Sequence, residues 1–262
     1  MTTPLARRAG VLVLIAATAT TLSGCAGVLG AKMTYDDSEK AKITDIVLSG
    51  GSGDVKITTG TVDQTTIRRI IRRTTNPGES YQLSRSTLSI DTSCGLNCSV
   101  SYEIQTPPGV KVRGNLDSGD VQLAGVADTT VQVSSGNVMV TDATGPVKVE
   151  TTSGDIDVLR SHSTVSAVAT SGDIRAIDPA GAVNVRATSG DVQVHLATPN
   201  SITADVTSGD VDITVPHGNY DIVNRTHAGG DTSIRGLTSD PTSKNVLDVK
   251  AASGDINIGT TA

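Results

Sequence analysis

The sequence predicts an all-β protein, a flattened β-solenoid (β-helix-like) of two-strand repeats about 18 residues long with Ser-Gly-Asp turns and an irregular β cap at the N-terminal end. Three observations carry this. The tripeptide Ser-Gly-Asp returns at a nearly constant interval. Apolar residues alternate with polar ones on both sides of each return, as in strands with one buried face. The 262 residues include 27 Gly and four Tyr but no Phe and no Trp. A core of Val, Ile, Leu and Ala is thin, which suits two facing sheets of short strands.

The N-terminus is an address rather than part of the fold. Arg7 and Arg8 precede an apolar stretch from Gly10 to Thr21, too short to span a bilayer comfortably. It ends in Leu22-Ser23-Gly24-Cys25, which resembles the bacterial lipobox. The resemblance implies that 1–24 is a lipoprotein signal peptide and that Cys25 becomes the lipid-bearing first residue. Residues 25–42, small and charged, then read as a lipid-anchored tether. The β-repeat domain is expected over 43–262, with 43–116 as its irregular capping part and 117–262 as the regular repeats.

Within 43–116, short strands are expected at 43–48 and 55–57 around Ser52-Gly53-Asp54. Longer ones are expected at 65–75, 81–85, 88–91 and 99–106, and Pro107-Pro108-Gly109 marks a corner. Such a segment covers the pairing edge that a solenoid otherwise exposes. Cys94 and Cys98 flank a three-residue turn, and outside the cytoplasm they read as a local disulfide. The run Ile67-Arg68-Arg69-Ile70-Ile71-Arg72-Arg73 admits two readings. Its arginines could pair with acids across a sheet, or hold anionic headgroups near the anchor; the first is preferred.

From 117 onward the repeat is regular. The corners are Gly119-Asp120, Gly154-Asp155, Gly172-Asp173, Gly190-Asp191, Gly209-Asp210 and Gly254-Asp255, with Gly53-Asp54 as the early copy and Asn137 and Asp231 in variant corners. From Asp120 the steps are 17, 18, 18, 18, 19, 21 and 24 residues. An apolar pair follows each corner (Val121/Leu123, Ile156/Val158, Val192/Val194) and a second lies half a repeat later (Val131/Val133, Val147/Val149, Val183/Val185). Spacing by nine disfavours a three-sided hexapeptide helix; a stack of antiparallel hairpins stays open. The corner itself reads as a structural turn, with Gly supplying φ > 0 and Ser and Asp bonding free N–H groups. Stacked carboxylates at a strand spacing of about 4.8 Å repel by about 1 kcal/mol per pair in water, so something must offset them. Asn137 in the column points to hydrogen bonding rather than charge. Calcium, which takes six to eight oxygens, is the alternative at the Asp turns; otherwise no metal or cofactor is expected.

The early Ser-Gly-Asp strand, the central hairpins, the Pro-Pro-Gly corner and the run of Thr-Ser-Gly-Asp repeats are together similar to the bacterial "putative adhesin" β-repeat family, also called toastrack and domain of unknown function 4097. The resemblance covers about 43–262 and implies a fold but no catalytic residues. No catalytic residue is expected from the sequence either. His162, His195, His217 and His227 are scattered, and no nucleophile elbow, phosphate loop or zinc cluster occurs. With 21 Lys+Arg against 27 Asp+Glu, the net charge of -6 opposes nucleic acid as a partner. The expectation is a non-enzymatic, lipid-anchored protein on the extracytoplasmic face of a bacterial cell membrane, a scaffold or adhesin-like surface for an envelope or surface protein. The alternatives are an envelope-stress or signalling accessory protein and a β-helix polysaccharide-active enzyme.

Overall fold

The computed structural model describes residues 31–73, 80–96, 98–226 and 229–261, so Cys25 and the segment before it lie outside the described residues. The described residues form strands and turns with no helix. The strands make two sheets, one of 12 strands and one of 11. Neighbouring repeats pair in parallel and in register within both sheets: Ile156 lies beside Ile174, and Val147 beside Val165. This decides between the two architectures that periodicity leaves open, because stacked hairpins would pair antiparallel. The chain coils.

One coil shows the design. Val165–Ser171 runs in the 11-stranded sheet, turns at Gly172 and Asp173, and continues as Ile174–Ile177 in the 12-stranded sheet. Val165, Ala167 and Ala169 point in from the first strand and Ile174 and Ala176 from the second, all at most 1% exposed. The two strands are unequal, seven residues against four, so one sheet contributes three inward side chains per coil and the other two. Burying a Val, Leu or Ile side chain contributes about 1.5–3 kcal/mol, and each of these is covered by its counterpart in the next coil rather than by its own. At the far corner a further inward column, including Val126, Ala143, Ser161 and Pro179, closes the space between the sheets.

The corner needs glycine for two reasons. Gly172 has φ +137°, and a Cβ there would land on the carbonyl of Gly154 in the coil beside it. The backbones of successive corners approach too closely for any side chain.

The structure departs from the sequence expectation at both ends. Ala31–Glu39, inside the segment read as tether, is a nine-residue strand. It pairs antiparallel with Thr65–Arg73, which pairs antiparallel with Ser99–Thr106. Met33 and Tyr35 pack against the core while Lys32, Thr34 and Asp36 face out, a period-two pattern obscured by the charges. Asp45–Ser49 and Val55–Thr59, expected in the irregular part, are an ordinary coil stacked directly on Lys111–Ser118 and Val121–Ala124. The segment between them loops out to form the cap.

At the other end, chain order and stacking order differ. Val246–Ser253 and Ile256–Thr260 stack on Ile202–Ser208 and Val211–Val215. The earlier pair, Asp221–Thr226 and Thr232–Arg235, is outermost. The last strands in sequence are therefore inserted between two coils that precede them.

All four tyrosines sit at the ends of the stack. Tyr102 and Tyr220 are the largest fully buried side chains. The Tyr102 hydroxyl donates to the carbonyls of Ser80 and Asp91, the latter at 3.0 Å, and the Tyr220 hydroxyl to that of Pro216 at 3.0 Å. Burial pushes the Tyr102 phenol up to about 12.

Gly109→Ala, at φ +93° with open space around it, should cost about 1–2 kcal/mol from backbone strain alone. Gly172→Ala should cost at least about twice that, because the coils must also separate. Comparing the two by urea denaturation separates the clash from the strain.

Candidate functional site

The stacking brings the sequence-predicted corner residues into a single column. In each rung a backbone N–H donates to a side-chain oxygen of the preceding layer. Asp54 N–H donates to Ser101 Oγ (3.1 Å), Asp120 to Asp54 (3.2 Å), Asn137 to Asp120 (2.9 Å) and Asp155 to Asn137 (2.9 Å). Asp173 donates to Asp155, Asp191 to Asp173, Asp210 to Asp191, Asp255 to Asp210 and Asp231 to Asp255, at 2.8–2.9 Å. The repulsion along the column is met by these donors, since a hydrogen bond to a charged acceptor is roughly twice as strong as a neutral one. Asn137 fills its rung with an amide oxygen, so the rung requires an acceptor and not a charge. Ser101 begins the column from a cap strand that has no Ser-Gly-Asp.

The opposite edge, irregular in sequence, carries a second column. Asp142, Arg160 and Asp178 occupy equivalent positions with φ of 51–53°. Arg160 Nε and Nη2 donate to the two oxygens of Asp142 at 2.8 and 3.0 Å. The Asp178 carboxylate meets His195 Nδ1 at 2.7 Å. Arg160 holds the Asp142 carboxyl below the usual carboxylate range. The sequence hides this column because it contributes one residue per coil inside turns of unequal length.

The arginine run in Thr65–Arg73 resolves residue by residue. Arg68 Nε donates to Asp36 at 2.7 Å, with Glu103 3.7 Å away. Arg69 turns inward, its side chain 12% exposed, binds Asp37 at 2.9 Å and lies 5.2 Å from the ring centres of both Tyr35 and Tyr81. Cross-strand pairing therefore accounts for Arg68 and Arg69; the acids come from the strand that the sequence reading took as tether. Cys94 and Cys98 form a disulfide with a Cα–Cα distance of 5.3 Å.

Concave surface is shallow. One depression of about 570 Å³ is bordered by Asp36, Lys56, Arg68 and Glu103, and another of about 390 Å³ by Asp155, Asp173, Arg175 and Asp191. Among the described residues no three His, Cys, Asp or Glu are placed to hold a metal ion together. His162 hydrogen-bonds through its ring to the Ala143 carbonyl (3.3 Å) and His195 is paired with Asp178. His227 lies outside the described residues. The chemistry of both edges is directed at the neighbouring coil.

A parallel two-sheet coil with a corner ladder and a hairpin cap defines a toastrack-type β-repeat protein. The Toastrack DUF4097 family model matches residues 27–259, and the chain belongs to that family. Among solved structures, the "putative adhesin" of Bacteroides fragilis is similar at 16% identity with a TM-score of 0.54, over 90% of this chain and 100% of that one. A "putative lipid binding protein" of Parabacteroides distasonis is 14% identical with a TM-score of 0.44, over 87% and 97% of the two chains. No curated protein matches the sequence.

Replacing Asp173 by Asn should keep the rung and change stability by less than about 0.5 kcal/mol, whereas Asp173→Leu should cost about 1–2 kcal/mol. Thermal melts of the pair test whether the rung needs an oxygen or a charge. Arg160→Gln should return the Asp142 carboxyl toward the ordinary range, read by NMR titration. The sign follows from the lowered value: this pairing supports the fold at neutral pH and is lost as pH falls through the Asp142 folded-state pKa.

Proposed function

We propose that this is a non-enzymatic, lipid-anchored envelope protein whose rigid solenoid displays an adhesin-like interaction surface on the extracytoplasmic side of the membrane. One observation carries the reading: the polar side chains in the two edge columns are bonded to adjacent coils, and the depression that Asp155, Asp173 and Asp191 border is shallow. What remains for function is the pair of broad outward sheet faces, where polar side chains alternate with the buried ones. A flat rigid face suits a macromolecular partner better than a small substrate. The name of the Bacteroides fragilis relative is in keeping with this. The address is supported by Leu22-Ser23-Gly24-Cys25 after a charged and then an apolar segment, and by a disulfide of the kind formed outside the cytoplasm.

Two measurements test it. Fractionation of expressing cells should place the protein in the membrane pellet, and Cys25→Ser should abolish acylation, seen in the mass of the N-terminal peptide. Crosslinking at the outward faces should then trap a specific envelope protein. Turnover of cell-wall glycan by the purified protein would overturn the non-enzymatic reading.

A further inference from the structure

The geometry points to a membrane-docking corner at the N-terminal end of the solenoid, formed by Leu96, Lys32 and Arg72 and fitted to an anionic lipid surface. The inference deepens the anchored reading above and rests on it for the orientation of the molecule. Strand register brings the three together. Lys32 lies directly opposite Arg72, and Arg72 directly opposite Ser99. Ser99 closes the disulfide loop through its bridge to Ser93. Leu96, at the tip of that loop, is 96% exposed, the most exposed of the large apolar side chains among the described residues. Cys94 and Cys98, on either side of it, are joined by a disulfide.

The two cations are placed as no simple structural role requires. Like charges directly opposite each other on one sheet face are destabilising. Four residues along the same pair of strands, Asp36 opposite Arg68 forms a bonded ion pair. Lys32 and Arg72 are both exposed and form no ion pair among the described residues. Arg72 also borders a depression with Asp54, Glu103 and Asp120, so the start of the acidic column is its competing partner.

The chain path supplies the occupant. Lys32 is the second described residue, and Cys25 precedes Ala31 by six positions. Even fully extended, those residues span only about 20 Å. An acyl chain on Cys25 thus keeps this corner near the bilayer. Lys and Arg beside an anionic surface each gain attraction, and an apolar side chain at the interface adds a second contact. In this arrangement Lys32 and Arg72 bind lipid phosphates while Leu96 enters the headgroup layer, and the stack projects away from the surface.

The sequence has no Trp, so Leu96→Trp introduces a unique fluorophore. The full protein carrying it is added to vesicles of phosphatidylglycerol or of phosphatidylcholine, each with brominated acyl chains. The expected result is a blue shift and about twofold or greater quenching in phosphatidylglycerol, with Ile234→Trp at the far end unquenched. Adding Lys32→Gln and Arg72→Gln should each weaken binding of the non-acylated protein to phosphatidylglycerol about fivefold. Membrane-retained Leu96→Trp protein whose emission is unquenched would overturn the docking corner while leaving the anchor intact. Quenching of the non-acylated Leu96→Trp protein in phosphatidylglycerol would support the corner independently of the anchor, whereas a native N-terminal peptide that carries no lipid would overturn the anchor. A double Gln variant that melts earlier but is quenched as before would overturn the lipid role and assign both cations to the acidic column.

Discussion

Backbone hydrogen bonding between parallel coils requires each corner to sit directly over the one before it. That requirement determines most of what the sequence may contain. With corners superposed, there is room for a backbone and no Cβ, so the second corner position is Gly. The third position must satisfy the next corner's N–H, so it carries an oxygen on a short side chain. With corner spacing fixed, the inward residues of both strands are fixed too, and Val stacks on Val or Ile from one coil to the next. A one-residue slip would turn every inward side chain outward, so the ladder of side-chain oxygens acts on register as well as on stability.

The same constraint explains where aromatic residues occur. In the interior coils the sheets are held at a separation that Val, Ile, Leu and Ala fill. At the ends, where a coil meets a cap or solvent, the geometry relaxes and larger side chains close the gap. Tyr102 closes the N-terminal end under the strands of the cap, and Tyr220 opens the outermost coil at the other. Arg69, held between Tyr35 and Tyr81 and bonded to Asp37, belongs to the same closure.

What could be read from sequence was what each coil repeats. The corner Gly and Asp residues, the inward pairs and the acceptor role of Asn137 follow from local periodicity; that the rungs are closed by Asp and Asn oxygens is visible only once the corners are stacked. What could not be read depends on partners distant in the chain. The strand Ala31–Glu39 looks like a charged linker because its acids make sense only beside Arg68 and Arg69. Asp142, Arg160 and Asp178 attract no notice until they are stacked. The exchanged order of the last two coils leaves no trace in spacing, since Asp231 and Asp255 each follow an acceptable interval.

That exchanged order has a consequence for how the molecule is made. A solenoid whose stacking followed its sequence could grow coil by coil from its N-terminal end. Here growth can proceed in that way only as far as Val211–Val215. The next strands in sequence belong one layer further out and have no surface to rest on until residues 246–260 slide in beneath them. The strands Val246–Ser253 and Ile256–Thr260 are thus the keystone of their end of the stack, and loss of that one coil would cost two.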